Sequence, residues 1–289
     1  MTRTQRRRLA VFVRLLAIAL ILSWTLYPLG WALALSIKHP PDFFTAHALP
    51  WLQFQPTLDN WAFELDAFND PAGMGASLAG SIVTGVASTA VALLLGVPAA
   101  FGLSQQRRRP AWWMFGLVLL PRLVPPVVVV FAFSEMMRVL RLADTYTALS
   151  IAHATLVLPF AVLLPYSALV EAPREIFDAA VVDGCTPAGL LRHIALPWLA
   201  PVLLATAALC FALSWNEFIF ALMNVQQHAQ TAPLAVASLL NKDGIEFEYV
   251  GSHLVMVIVP PLLLALLARR YVVRGLTLGA VKDDGQRAR

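Results

Sequence analysis

The stretch TYTALSIAHATLVLPFAVLLPYSALV, residues 145–170, holds no Asp, Glu, Lys or Arg. A helix needs about 20 apolar residues to cross a hydrocarbon layer roughly 30 Å thick, so this stretch is long enough to span a bilayer. Five others read the same way, at 15–37, 76–103, 111–134, 194–216 and 250–268, each free or nearly free of charge. Backbone polar groups facing lipid are satisfied only within helices or closed barrels, and no ten-residue alternating strand pattern is present, so the spans are helices. The fold class read from the sequence is all-α, a polytopic membrane protein with six transmembrane helices.

Composition agrees. Of the 289 residues, 59% are hydrophobic and 13% charged, about half the roughly 25% charge of a soluble domain, and the mean hydropathy is +0.70. These values exclude an ordinary water-soluble enzyme, and a chain so apolar does not stay solvated and disordered. Cys185 and Cys210 lack CxxC spacing and sit in or beside apolar stretches. They read as small buried hydrophobes, with no disulfide framework and no metal site. Prolines fall inside several spans, at Pro28, Pro98, Pro159, Pro165, Pro260 and Pro261. In a bundle, neighbouring helices satisfy the carbonyls that a proline frees, so these positions are expected to kink their helices rather than end them.

Basic residues orient the chain. With the N-terminus in the cytoplasm, that side carries sixteen of the 21 Lys and Arg, within 3–14, at 107–109, at Arg174 and Arg192, and after residue 268. The opposite side carries Lys38, Arg138, Arg141 and Lys242, and Arg122 lies inside the third segment. Both termini are therefore expected in the cytoplasm. The sequence divides into a cytoplasmic N-terminal tip (1–14), a transmembrane domain (15–270) and a cytoplasmic tail (271–289), with tip and tail expected to be flexible. The first apolar run exceeds the 7–15 residues typical of a signal-peptide core and reads as an uncleaved helix. Between the first two spans, residues 38–75 are acidic and rich in aromatics, with Phe43, Phe44, Trp51, Phe54, Trp61, Phe63 and Phe68. This loop suits the outer face, either folded back on the bundle or meeting an external partner.

Residues 171–197, between the fourth and fifth spans, are far more polar than their surroundings. Pro173 suits a first helical turn, Glu175 and Asp178 suit the positive end of the helix dipole, and Gly184 suits the left-handed residue that stops the helix. Thr186 and Pro187 then supply the N-cap and first residue of a second short helix, expected to finish by about Pro197. Leu190, Leu191 and Ile194 share a face that lipid or a partner must cover. The product is a helix–Gly–helix elbow on the cytoplasmic side, a shape suited to plugging a cleft in another protein.

The order Asp178-Ala179-Ala180, three residues, Gly184, nine residues, Ile194-x-Leu196-Pro197 resembles the EAA loop, EAA-x3-G-x9-I-x-LP, of the permease subunits of binding-protein-dependent ABC importers. Asp178 stands where that family usually has Glu, which keeps the charge and shortens its reach by one methylene. The run from Pro56 to Trp61, the run from Ser214 to Phe218 and the tail run from Gly275 to Lys282 resemble signatures of the carbohydrate branch. The likeness covers roughly residues 56–282 and is similar to the six-helix partner in maltose-type importers.

The resemblance implies a type I ABC importer permease fold working as a heterodimer with a second permease subunit. It also implies two cytoplasmic ATP-binding subunits, an extracytoplasmic solute-binding protein and a bacterial inner (plasma) membrane crossed several times. It makes Asp178, Ala179, Ala180, Gly184, Ile194, Leu196 and Pro197 the ATPase-coupling residues. ATP is then used by the partner ATPase, with no cofactor bound by this chain, and the sequence independently lacks a G-x4-G-K-[ST] phosphate loop. On this reading the chain is a transport subunit for a sugar or polyol and not an enzyme. Its basic clusters face anionic lipid of the bilayer rather than nucleic acid.

Four residues are candidates for the substrate path. Arg122 lies too deep in its segment to snorkel, and either pairs with a carboxylate such as Glu135 or Glu217 or lines the path. Trp215, Asn216 and Glu217 combine a stacking face, an amide and a carboxylate, the set by which sugars are bound, or else form an interface tryptophan with polar neighbours. His153 and His253 read as packed, hydrogen-bonding imidazoles, and no HExxH, His/Cys cluster or nucleophile motif marks a catalytic or metal site. Three rivals stand beside this reading. One is an ion-coupled secondary transporter relaying through Arg122, Glu135 and Glu217, which an inverted repeat would favour, although none is evident. The others are a membrane-embedded enzyme or scaffold and an ABC permease for a non-sugar solute.

Overall fold

The computed structural model describes residues 3–39, 42, 54–70, 73–106, 112–241, 244–245 and 247–277. Phe43, Phe44 and Trp51 of the acidic loop, the arginines at 107–109 and the tail signature at 279–282 lie outside the described residues. In order, the helices are α1 (Arg3–Ser36), α2 (Asp59–Asp66), α3 (Met74–Ser104), α4 (Trp112–Leu123), α5 (Pro126–Val139) and α6 (Tyr146–Val170). Then come α7 (Arg174–Val182), α8 (Pro187–Leu190), α9 (Leu196–Trp215), α10 (Ile219–Asn224), α11 (Ala232–Ser238) and α12 (Phe247–Thr277). Among the described residues the fold is all-α apart from one antiparallel pair of two-residue strands, β1 (Leu240–Asn241) and β2 (Gly244–Ile245).

Among the described residues, five unbroken helices are long and apolar enough to cross a membrane, at Gln5–Ser36, Met74–Ser104, Tyr146–Val170, Pro187–Trp215 and Tyr249–Arg269. The remaining apolar segment, 111–134, is divided between α4 and α5. The residue before a proline is pushed out of the helical region, and Val124-Pro125-Pro126 applies that restriction twice. Pro125 adopts φ −57° and ψ 129°, and Pro126 opens the new helix. Pro28, Pro98, Pro159, Pro165, Pro260 and Pro261 all lie inside continuous helices. At both ends of the chain the helices run further than expected. Residues 3–14 form the first turns of α1 because that stretch contains no Gly or Pro to break it, and α12 continues past residue 270.

The chain divides into two compact units, residues 1–74 with 235–259 and residues 75–234 with 260–289. In the first, α2 is fixed to its neighbours through polar contacts. Asn60 Nδ2 donates to the carbonyls of Lys38 at 3.0 Å and Ser36 at 3.4 Å. Buried Glu64 lies 2.7 Å from His253 Nδ1 and accepts from Ser252 Oγ at 3.2 Å. Phe63 stacks on Tyr249 with ring centroids 4.5 Å apart. The buried Lys38 ammonium sits 5.6 Å from the Trp31 ring centroid and 5.0 Å from that of Phe54, so aromatic faces stand in for the water it has lost. This part of the acidic loop is folded back on its own helices.

In the second unit α6 is the central helix, and α9 packs along it. Small residues let backbones approach closely, as membrane helices require when lipid tails are as apolar as leucine. A Cβ on Gly96 of α3 would come within 2.7 Å of the Ala161 backbone of α6. Ser77, Ser81, Thr84 and Ser88 recur at helical spacing on α3 and are all buried. Ser81 Oγ accepts from the Ala232 N–H at 2.8 Å, and Ser88 Oγ meets Ser214 Oγ at 2.9 Å. The Ser81 and Ser88 hydroxyls act as polar glue between elements.

Candidate coupling elbow and buried polar cluster

Local backbone chemistry sets the elbow. Helix α7 opens after Pro173 at the N-cap and closes in a Schellman arrangement. The Gly184 N–H donates to the Val181 carbonyl at 3.0 Å and the Cys185 N–H to the Ala180 carbonyl at 2.9 Å. Gly184 has φ +80°, the left-handed region in which a side chain is strained. Thr186 then caps α8, its Oγ1 accepting from the Gly189 N–H at 3.2 Å, with Pro187 in the first turn.

The second arm does not stop near Pro197, as the sequence suggested. It passes through a π-helical turn, Leu191–Ala195, straight into α9. In a regular helix a proline ring collides with the carbonyl four residues earlier. Here that carbonyl belongs to His193, inside the wider turn, which makes room for the ring.

Phe177 and Leu190 anchor the two arms in a buried cluster with Val97 and Phe101 of α3, Leu169 of α6 and Leu199 of α9. The apolar face expected to need lipid or a partner is therefore largely covered by the chain itself. Among the loop positions, Asp178, Ala179, Gly184 and Pro197 are exposed, and Ala180, Ile194 and Leu196 are half-buried against the cluster. Exposed carboxylates at Glu175, Asp178 and Asp183 surround an apolar tip where Val182 is 86% and Val181 56% exposed. Between the arms lies a groove of about 430 Å³, lined by Ile176, Phe177, His193, Ile194, Pro197 and Trp198.

The four path candidates do not share one surface. Arg122 is exposed, with its guanidinium carbon 5.1 Å from the Phe160 ring centroid. Glu135 is engaged by Arg138, Nε to Oε2 at 2.8 Å, which holds its carboxyl below the ordinary range. Trp215 is 1% exposed and packs on Phe211, with ring centroids 5.7 Å apart. Asn216 is exposed, and its Nδ2 donates to the Ala212 carbonyl at 2.7 Å. Glu217 turns inward at the break between α9 and α10. Its Oε1 accepts from the N–H of Ile219 at 2.9 Å and of Phe220 at 3.2 Å. Its Oε2 lies 3.1 Å from Nε2 of His153, at ion-pair distance but off the line of a hydrogen bond. The other ring nitrogen of His153 bonds Ser214 Oγ at 2.8 Å. Among the described residues, no group of three or more His, Cys, Asp or Glu could hold a metal ion.

The sequence matches the model of the binding-protein-dependent transport system inner membrane component family over residues 92–277. The chain belongs to this family. It is thus a multi-pass inner-membrane transport component. The sulfoquinovosyl glycerol transport system permease protein of Agrobacterium fabrum is 30% identical over 271 residues, covering 93% of each chain. The trehalose transport system permease protein of Mycobacterium tuberculosis is 29% identical over 269 residues, covering 91% of this chain and 94% of the relative. A chain from the crystal structure of a bacterial ABC transporter for the acidic polysaccharide alginate superposes with a TM-score of 0.64. Its sequence identity is 15%, covering 93% of this chain and 96% of that one. The fold is that of ABC importer permeases.

The stretch matched to the family contains both the elbow and the His153–Glu217 cluster. The sequence singled out these two residues separately and did not join them. The signal available was that each is a lone polar side chain in or beside an apolar span, where burial is costly without a partner. A second junction was also missed. Asp144, at φ 56°, accepts from the backbone N–H groups of Gln226, Gln227, His228 and Ala229 and meets His228 Nδ1 at 2.9 Å. Burial alone would push its carboxyl up, but the His228 ring and the backbone N–H groups outweigh burial and hold it well below the ordinary range.

Proposed function

We propose that this chain is the permease subunit of an ATP-driven importer for a sugar or polyol. It forms the translocation path with a second permease and receives solute from an extracytoplasmic binding protein. Two cytoplasmic ATPase subunits act on it through the elbow at 171–197. Both termini then face the cytoplasm, ATP is hydrolysed by the partner subunits, and this chain binds no cofactor. Supporting the solute class are the relatives that carry sulfoquinovosyl glycerol and trehalose.

The observation that carries the coupling role is the pairing of a rigid base with an exposed tip. Phe177 and Leu190 lock the elbow to α3, α6 and α9, so a push on Val181, Val182 and their flanking carboxylates moves those helices rather than bending a loose loop. Two-state rocking of packed helices is then biased by closure of the ATPase. Of the path candidates, Arg122 and Asn216 are exposed and suited to touch solute, while Trp215 and Glu217 turn inward on either side of Asn216 in sequence. In the rival ion relay, Arg122, Glu135 and Glu217 would have to exchange an ion or proton. They are instead engaged with Phe160, Arg138 and His153 respectively.

The test is uptake into vesicles holding the full importer, with ATP enclosed and the binding protein outside, screened with sugars and polyols. Uptake is expected to require ATP and the binding protein. Uptake by this chain alone, driven by an ion gradient, would overturn the reading.

A further inference from the structure

The proposed path role of Asn216 rests on a buried chain of side chains that neither the coupling elbow nor the family assignment uses. Ser88 of α3, Ser214 of α9, His153 of α6 and Glu217 at the α9–α10 break follow one another at 2.9, 2.8 and 3.1 Å. All four are nine-tenths or more buried. A Ser–His–Glu order invites comparison with a nucleophilic triad, but Ser214 is 4% exposed and packed against Ser88, with no room for a substrate.

The carboxylate is the hub of the chain. Glu217 accepts backbone N–H groups on both oxygens, from Ile219 at 2.9 Å and from Phe220 at 3.1 Å. Nε2 of the His153 ring lies 3.1 Å from the carboxylate oxygen Oε2, so the ring and the carboxylate are in direct contact. Nδ1 of the same ring shares a hydrogen bond with the Ser214 hydroxyl at 2.8 Å, and Ser88 Oγ donates to the Ser214 oxygen at 2.9 Å. The chain thus ties three helices to one carboxylate, and that carboxylate holds the first turn of α10 through the Ile219 and Phe220 N–H groups.

We propose that Ser88, Ser214, His153 and Glu217 form a brace that fixes the α9–α10 break and so positions Asn216 toward the solute path. They are positioning residues: Asn216 lies between Ser214 and Glu217 in sequence and donates back to the Ala212 carbonyl, so it is carried by the end of α9 that the brace fixes. The clause concerning solute depends on the path reading above, whereas the brace itself does not.

Two measurements on the full importer separate them. Hydrogen–deuterium exchange of the peptide covering residues 215–224 reads the Ile219 and Phe220 amides directly. His153→Leu is expected to speed exchange there by about tenfold, with the elbow peptide 174–197 unchanged, because the loss of a buried partner frees a local opening. His153→Gln, which keeps a donor and an acceptor, is expected to restore most of the protection. Exchange in 215–224 that stays at the wild-type rate, or acceleration spread over the whole chain, would overturn the brace. If His153→Leu does not reach the membrane, Ser88→Ala removes only the far end and is expected to give about a threefold local acceleration. An unchanged rate in that variant would be equally fatal. Uptake of trehalose, maltose and the other sugars of the panel is read alongside. A raised KM with little change in maximal rate supports the link to solute. Local acceleration with unaltered uptake leaves the brace standing and removes Asn216 from the path.

Discussion

The polypeptide bends at polar residues in two contrasting places. At the elbow around Gly184 the bend is held by its own backbone, through bonds between residues at most five apart, and its charged side chains point away from the protein. At the α9–α10 break the bend is held by Glu217, whose partner His153 is far away in sequence and whose charge points inward. A bend made from local bonds keeps its shape when neighbouring helices shift, which suits a part that must transmit force. A bend tied to other helices changes when they change, which suits a part whose geometry follows the state of the path.

The strongest way to break this contrast is Gly184→Val. A β-branched side chain in the left-handed region costs about 1–2 kcal/mol or more, and it strains the one residue through which the exposed tip joins the second arm. Sugar uptake by the full importer is expected to fall to background, while solute binding by the external protein, measured by calorimetry, is unchanged. Near-normal uptake would mean that the elbow does not carry the force.

Next in size is Glu217→Ala. It leaves the Ile219 and Phe220 N–H groups without their carboxylate, at about 1–3 kcal/mol for each group left unsatisfied, and removes the ion-pair neighbour of the buried His153 ring. The loss is expected mainly in stability, as a lower melting temperature of the detergent-purified chain. Gly184→Val, at an exposed turn, is expected to melt closer to wild type although it abolishes transport. If the two variants changed places, the division into a force-bearing bend and a state-dependent bend would be wrong.

The same division explains what was legible in the sequence. Gly184, Thr186 and Pro187 act on neighbours within a few residues, so turn chemistry alone gave the elbow, its left-handed glycine and its cap. The spans were legible because each must be apolar over its whole length. The break at Pro125 went unread although Val124-Pro125-Pro126 states it, because a long apolar run outweighed a local signal. The π turn before Pro197 was hidden for a different reason: widening a helix lets a proline pass where a regular helix would stop. Glu217 and His153 were each visible, but their meeting is a fact of helix packing, and no spacing rule connects residues on α6 to the end of α9.

Asp144 sharpens the contrast from outside the spans. Like Glu217 it is a carboxylate that gathers N–H groups from a distant segment, but it joins two connecting loops. Because its carboxyl is held well below the ordinary range, the stability it contributes is present above the unfolded value of about 4 and is lost as pH falls through and below that value. Asp144→Asn is expected to lower the melting temperature at neutral pH and to flatten the decline of stability below about pH 4. An unaltered acid profile would show that the 225–229 loop is held by something else.

The smallest expected effect belongs to Thr186→Ala. The change removes one capping hydrogen bond, Gly189 N–H to Thr186 Oγ1, worth about 1 kcal/mol. Leu190 stays buried in the cluster with Val97, Phe101 and Leu199, so the second arm keeps its anchor. Uptake is expected to fall by less than about threefold, and Thr186→Ser, which restores the acceptor, is expected to recover it. If Thr186→Ala were instead as damaging as Gly184→Val, the elbow would depend on its cap rather than on the left-handed turn and its buried anchors. The force would then enter through α8 rather than through the exposed tip of α7.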